Sequence, residues 1–437
     1  MSSTEHSRQT VVANGQSYIA PQKPTVVITI DGCAVEYLTA ALEKGCMPNL
    51  QALLDGGAFS VDALSEMPSF TNPNNISIVT GVAPAIHGIV GNYYRDPHGV
   101  ERQLTQPSDL RASTIHAALH AHGIPVLMVT AKDKLRRLLS VGGVPSVSVE
   151  KADSLPIAPY GDATAADLVG RPAPHIYDWD ASIYAMDIGL AAHRQAGPIG
   201  LLYVSFTDYV QHREPPGSAL ANQFYSAFDD RLGIYLAEGF LVGITADHGM
   251  NAKHNHDGSP RLILLEDVLQ EAGIKGHAVL PITDPYTAHH GALGSFAWVY
   301  VDRTDRDRAI EIIGNAAGVT EAYTGREAAA AYELPSDLIG DIAVSGDRSM
   351  VLGRSASFHA ASPPPGHLRS HGGRYEQPIP LILSEQPRPE FLGSRAGRPH
   401  RNRYIHDLLL NGCTEQQEAP SGIGSVQKPI SVAPFGE

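Results

Sequence analysis

Four short apolar runs rich in β-branched residues each stop at residues able to do chemistry. Thr25-Val26-Val27-Ile28-Thr29-Ile30 runs into Asp31-Gly32, and Leu201-Leu202-Tyr203-Val204-Ser205-Phe206 into Thr207-Asp208. Leu241-Val242-Gly243-Ile244-Thr245 runs into Ala246-Asp247-His248-Gly249, and Pro125-Val126-Leu127-Met128-Val129 into Thr130-Ala131-Lys132. Such runs read as strands buried on both faces, as in a parallel sheet. The stretches Thr114–His122, Asp187–Gln195 and Gln223–Glu238 between them have helical spacing and length. Strands alternating with helices predict an α/β fold with a doubly wound, mostly parallel sheet. Ligands of such sheets bind beyond the carboxyl ends of the strands, where Asp31, Lys132, Asp208 and Asp247 fall.

Between Asp257 and Ser362 the pattern changes. Phe296–Val301 and Asp341–Val344 read as strands and Asp305–Ala317 as a helix, which predicts a small α+β insert over residues 257–365. The chain then passes Pro363-Pro364-Pro365 and returns through His371-Gly372-Gly373 to a strand at Ile379–Leu383. The main domain is thus expected over residues 21–256 and 366–413. Residues 1–20 and 414–437 are polar or rich in Gly and Pro, and read as disordered or flexible tails.

A chain of 437 residues can bury a large core without a disulfide scaffold. Cys33, Cys46 and Cys413 are odd in number and lack CxxC spacing, which suits reduced thiols in a cytoplasmic protein. Cys33, beside Asp31-Gly32, reads as a packed small residue. No apolar run reaches ~18 residues, and Met1–Gln22 has neither the basic nor the apolar region of a signal peptide. The net charge of −14 disfavours nucleic acid and anionic membranes as partners. An anionic substrate remains open to an acidic protein whose site carries bound metal ions.

Asp31, Asp208, His212, Asp247, His248 and His371 supply carboxylate oxygen and imidazole nitrogen, the donors of zinc and similar divalent ions. Asp208 and His212 are four apart, so a helical turn or a tight loop could aim both at one ion. Asp247 and His248 could share an ion or serve one each. Taken singly, each has a structural alternative, since Asp after a strand is often a helix N-cap. Their joint placement at or beside strand ends is what favours metal. In Met67-Pro68-Ser69-Phe70-Thr71-Asn72-Pro73-Asn74-Asn75, Thr71 stands where an N-cap would be, ahead of the helix-like Ile76–Val79. Alone it reads as a structural cap. The free N–H groups of a helix start also suit a phosphate-like anion, and a metal ion there could ionise the hydroxyl.

Phe70-Thr71-Asn72-Pro73-Asn74, Thr80-Gly81 and His87-Gly88-Ile89-Val90-Gly91-Asn92 resemble the nucleophile region of nucleotide pyrophosphatase/phosphodiesterases, a branch of the alkaline phosphatase superfamily. Asp31-Gly32, Asp208-x-x-x-His212, Asp247-His248-Gly249-Met250 and His371-Gly372 complete that superfamily's metal set in order, so the resemblance covers residues 24–385. It implies an alkaline phosphatase-like core and two divalent ions, most simply Zn2+. Asp31, Thr71, Asp247 and His248 would bind one ion; Asp208, His212 and His371 would bind the other. It further implies that Thr71 is the nucleophile, that Asn92 donates to a phosphoryl oxygen, and that the chain could be a homodimer. Within the superfamily, Pro68–Asn75 and Lys132-Asp133-Lys134 are similar to the corresponding runs of phosphonoacetate hydrolases. That similarity implies a small anionic phosphonate substrate whose carboxylate Lys132 and Lys134 clamp, although a Lys-x-Lys pair is more often a solvated surface feature. His289 and His290 in the insert could close over the substrate. The alternatives are a phosphodiesterase or phosphomonoesterase on the same scaffold, and a binding module with structural metals. No aromatic or apolar slot for a nucleotide base is identifiable. Phosphoglycerate mutase-like enzymes share the metal scheme but typically use Ser where this chain has Thr71.

Overall fold

A computed structural model describes residues 9–104, 106–157, 162–282, 293–360 and 366–414. The apolar runs assemble into a seven-stranded sheet. Its strands in chain order are β1 (Thr25–Thr29), β2 (Phe59–Leu64), β3 (Val126–Thr130), β4 (Ser146–Ser148), β5 (Leu201–Ser205), β6 (Leu241–Thr245) and β7 (Pro378–Leu383). Their spatial order is β2-β7-β6-β1-β5-β3-β4. From β6 to β4 all pairings are parallel, while β7 runs antiparallel to both β6 and β2. Every residue of β1, β3, β5 and β6 is buried, as continuous apolar runs require.

Register converts this sheet into a site. Thr29 of β1 pairs with Thr245 of β6 and Ser205 of β5, and Ser205 pairs with Thr130 of β3. Four strands therefore end in one row. Asp31, Asp247, Lys132 and Asp208 follow those ends within two or three residues, so they emerge side by side.

A second, four-stranded antiparallel sheet has the order Gly276–Val279, Phe296–Val301, Ile342–Gly346, Val319–Thr324. Its strands and the helices Leu265–Glu271 and Arg306–Gly314 bury a core of their own around Leu269, Val299, Ala309, Ile313 and Val344. Among the described residues, no helix is long and apolar enough to cross a membrane.

The expected N-terminal tail needs correction. Thr10–Ala13 and Gln16–Ile19 form a hairpin with Thr10 opposite Ile19. Val11, Ala13 and Tyr18 are buried in the main core, and Asn411 ties the hairpin down through Ile19 N–H at 3.0 Å. Its turn residues Asn14 and Gly15 have φ of 51° and 82°. Asn-Gly between alternating apolar residues is a strong hairpin signal, and the polar composition of the segment obscured it. Residues 1–8 of the expected N-terminal tail, residues 415–437 of the C-terminal one, and the pair His289-His290 lie outside the described residues.

Candidate metal centre

The helix bearing Thr71 runs Thr71–Thr80, one residue earlier than a Thr71 cap implies. Phe70 is the extended residue before it, at φ −118° and ψ 160°, its ring held edge-on to Phe296 and His371. The helix start is also less open to an anion than expected, because Asn72 N–H donates to Asn92 Oδ1 at 2.9 Å. That bond commits the Asn92 oxygen and leaves its NH2 group as the donor end.

Two groups of buried donors gather beside Thr71. In each, the ligand-type atoms lie within 4.8 Å of one another: Asp31, Asp247 and His248 in one, Asp208, His212 and His371 in the other. Thr71 is half-buried, and its Oγ1 lies 3.3 Å from His248 Nε2, which is itself 3.3 Å from Asp31 Oδ1. Asp208 directly precedes the short helix Tyr209–Arg213 without capping it, and one turn brings His212 Nε2 to 2.9 Å from Asp208 Oδ2. The His248 and His371 rings stack at 3.5 Å, so the two groups adjoin. His371, remote in sequence, is stitched in by Ser295 N–H donating to its carbonyl at 2.9 Å.

Each imidazole is oriented by the backbone. Nδ1 of His212, His248 and His371 lies 2.8, 2.9 and 2.9 Å from the carbonyls of Arg369, Gly249 and Ser69. A carbonyl only accepts, so Nδ1 carries the proton and Nε2 presents its lone pair, the arrangement that metal-ligating histidines share. Both oxygens of Asp31 are buried and, among the described residues, accept no hydrogen bond. Uncompensated buried carboxylate oxygens are costly, and a divalent cation is the partner this donor set fits.

Without an ion the two groups hold protons of their own, His248 at Nε2 among them, which a bound ion would displace. Burial and the adjacent Asp31 carboxylate hold Asp247 well above the usual carboxylate range. Against the cost of burial, Asp247 and Asp31 raise His248 to about 9. Burial also opposes charge on Asp208, yet Lys132 and His212 hold it well below the usual range. Burial, followed by His248 and His212, drives His371 down.

Lys132 Nζ lies 3.3 Å from Asp208 Oδ1, and Lys134 Nζ donates to Gln103 Oε1 at 3.1 Å. With Arg137, Lys151, His175 and Tyr177, both lysines line a cavity of about 820 Å3. Both lysines are half-buried, and the same wall carries Asp133, Glu150 and Asp153. Tyr177 in this wall has its ring 5.9 Å from that of Tyr209, an aromatic surface the sequence did not disclose because the two sit on separate elements. Also undetected was Asn75, whose Nδ2 donates to Asp247 Oδ2 at 3.0 Å.

A family model described as type I phosphodiesterase / nucleotide pyrophosphatase matches residues 25–370, which carry every residue of both groups except His371. The chain belongs to that family. Its fold is alkaline phosphatase-like, shared with the alkaline phosphatase PafA at a TM-score of 0.60 and 16% identity. The chain is similar to the phosphonoacetate hydrolase of Sinorhizobium meliloti 1021, solved in complexes with phosphonoformate and with phosphonoacetate. That likeness has 39% identity and a TM-score of 0.85, and covers 93% of this chain and 100% of that one. Murine ectonucleotide pyrophosphatase/phosphodiesterase 5 shares the fold, with a TM-score of 0.59 at 17% identity over 92% of this chain and 99% of that one. An uncharacterized pyrophosphatase/phosphodiesterase of Schizosaccharomyces pombe is 38% identical over 76 residues. Those residues span 17% of this chain and only 15% of the yeast protein. Family and geometry together support a metal-dependent hydrolase of phosphorus-containing substrates.

Proposed function

We propose that this chain hydrolyses the carbon–phosphorus bond of phosphonoacetate to acetate and phosphate through a phosphothreonine at Thr71. The observation that carries this reading is the pair of lysines on a cavity wall, one of them 3.3 Å from the Asp208 carboxylate. In phosphoester hydrolysis the leaving charge stays on the departing oxygen, next to phosphorus. In cleavage of a carbon–phosphorus bond carbon departs with the electron pair and the adjacent carboxylate must take it up as an enolate, which calls for cations at that carboxylate. The whole-chain likeness to the S. meliloti enzyme supports the same substrate.

Asp31, Thr71, Asp247 and His248 would hold one divalent ion, and Asp208, His212 and His371 the second, with zinc best matched to these oxygen and nitrogen donors. When bound, such ions supply the charge that acidifies a hydroxyl and a water and offsets charge on phosphonyl oxygens. The chain's own residues do the rest. Thr71 Oγ1 forms a bond to phosphorus as the carbon–phosphorus bond breaks. Asn92 donates its NH2 to a non-bridging phosphonyl oxygen, in an orientation its bond from Asn72 N–H imposes. Lys132 and Lys134 hold the carboxylate while the carbanion delocalises into it. A proton from solvent completes acetate, and water then cleaves the phosphorus–oxygen bond to Thr71, releasing phosphate.

A second reading is hydrolysis of phosphate esters, which the Tyr177–Tyr209 surface beside the lysines favours. Phosphate release from phosphonoacetate and from p-nitrophenyl phosphate by the metal-loaded protein separates the two. Phosphonoacetate is expected to be the better substrate, with Lys132→Ala/Lys134→Ala abolishing that preference. Far faster ester turnover, or a double variant that keeps the preference, would overturn the first reading.

A further inference from the structure

One hairpin touches both ends of the site. Its strands Tyr93–Arg95 and Glu101–Gln103 pair Tyr93 with Gln103, and Leu104 N–H donates to the Asn92 carbonyl at 3.0 Å. Asn92 and Gln103 are thereby fixed side by side at the hairpin mouth. From there Asn92 binds the N–H of Asn72, next to Thr71, while Gln103 Oε1 accepts from Lys134 Nζ. Asn72 Nδ2 also donates to the Leu104 carbonyl at 2.9 Å, tying the helix of Thr71 to the same mouth.

The mouth is braced from the second sheet. Asn92 N–H and Tyr93 N–H both donate to the Pro281 carbonyl, at 2.9 and 3.0 Å. Glu101 is paired with His277 Nε2, and Arg354 and His277 both reach Glu266, at 3.1 and 3.5 Å. The hairpin mouth thus connects the Asn92 amide to the Lys134 ammonium through Gln103. The chemistry of its second contact is selective. Glutamine accepts a hydrogen bond without adding a charge, so Gln103 aims the ammonium, whereas an acid there would compete with a substrate carboxylate for it.

We propose that Gln103 is a specificity-determining positioning residue that holds Lys134 at a fixed separation from Asn92 and thereby favours ligands whose carboxylate adjoins the phosphonyl group. This inference rests on the assignment of Lys134 to the carboxylate. Its test uses the full chain loaded with metal, as wild type, Gln103→Met, Gln103→Glu and Lys134→Ala. Calorimetry gives the Kd of phosphonoformate, which carries a carboxylate, and of inorganic phosphate, which does not. The preference for phosphonoformate is expected to fall roughly tenfold in Gln103→Met, the scale of a hydrogen bond to a charged group, and further in Gln103→Glu. In turnover of phosphonoacetate the loss is expected in kcat as well as KM, because the Lys134 ammonium also meets the charge that develops on the carboxylate as the bond breaks. If Lys134→Ala loses the preference while both Gln103 variants keep it, the Gln103 proposal is overturned and the assignment of Lys134 stands. If Lys134→Ala keeps the preference, that assignment falls and the proposal falls with it. Should Gln103→Glu fail to fold, Gln103→Met decides alone.

Discussion

Asn75 uses its full side-chain amide on the site without itself being a ligand. Its Nδ2 donates to Asp247 Oδ2 and to the Thr71 carbonyl at 3.0 and 2.9 Å, and its Oδ1 accepts from Tyr203 and Ser205 at 2.6 and 2.7 Å. It therefore fixes a carboxylate and the first helical turn with one planar group. Asn75→Ala is expected to weaken metal affinity roughly 10- to 100-fold, the range for losing a partner of a ligand, read by metal titration of the chelator-stripped protein. Unaltered affinity would show that Asp247 needs no such support. Thr71 calls for the opposite pairing of effects. Its hydroxyl is half-buried and, among the described residues, bonds only His248. Thr71→Ala should leave the melting temperature nearly unchanged while turnover drops by roughly three orders of magnitude or more, as removing a nucleophile does. Retained turnover in that variant would exclude a phosphothreonine. These two asparagine and threonine positions also mark what was legible. Asp31, Asp208 and Asp247 declare themselves locally, by chemistry at the end of an apolar run, whereas Thr71 alone reads as a cap and is singled out by the resemblance of its motif. Asn75 lies in the same motif, but its function is set by partners more than a hundred residues away, which no local pattern encodes.

At the scale of elements, the row of strand ends was readable because burial on both faces leaves an apolar run no alternative to a central strand. The return of the chain through His371 to the strand at Ile379–Leu383 was readable too, but not the contacts that seat His371. His371 reaches the site on the turn after the two-residue strand Arg369–Ser370, too short to carry a periodicity. Its position is instead made by close approach. Ser69 N–H donates to the Gly372 carbonyl at 3.1 Å, and Ser69 Oγ to that of Gly373 at 2.7 Å. Gly372 has φ of +120°, and a Cβ there would meet the Phe70 ring at 2.5 Å. Gly372→Ala should therefore displace either Phe70 or His371. The expected cost is about 2–4 kcal/mol from overpacking and positive φ together, measured by denaturant unfolding without metal. Metal binding by the Asp208 group should weaken in parallel. A variant as stable as wild type that binds both ions normally would mean the turn is more pliant than its contacts indicate.

The molecule as a whole carries an acid sensitivity that lies outside the metal centre. His87, His116 and His406 are fully buried near the helix Thr71–Thr80: His87 Nε2 is 2.8 Å from Ser77 Oγ, His406 Nδ1 is 3.0 Å from the Ile78 carbonyl, and the His116 ring is 5.2 Å from that of His406. Burial drives all three down, His87 to about 3 and His406 to about 4. In the unfolded chain they return to about 6.5. Between those values the unfolded state binds more protons, so the contribution of these groups to stability is complete above pH 6.5 and declines as pH falls toward 4. At pH 5 each of His87 and His406 withholds a proton its unfolded form would bind, a loss on the order of 2 kcal/mol per group relative to pH 7. Unfolding should thus begin in the range where only histidines titrate, above that of ordinary carboxylates. The metal ligands also titrate there, so the decisive measurement is a difference. Urea unfolding at pH 7 and pH 5 in chelator, for wild type and His406→Leu, isolates one group because the ligand contribution cancels. The pH-dependent loss should shrink by about 2 kcal/mol in the variant. An identical loss in both proteins would mean that His406 is protonated in the folded state, with the helix that carries Thr71 accommodating its charge.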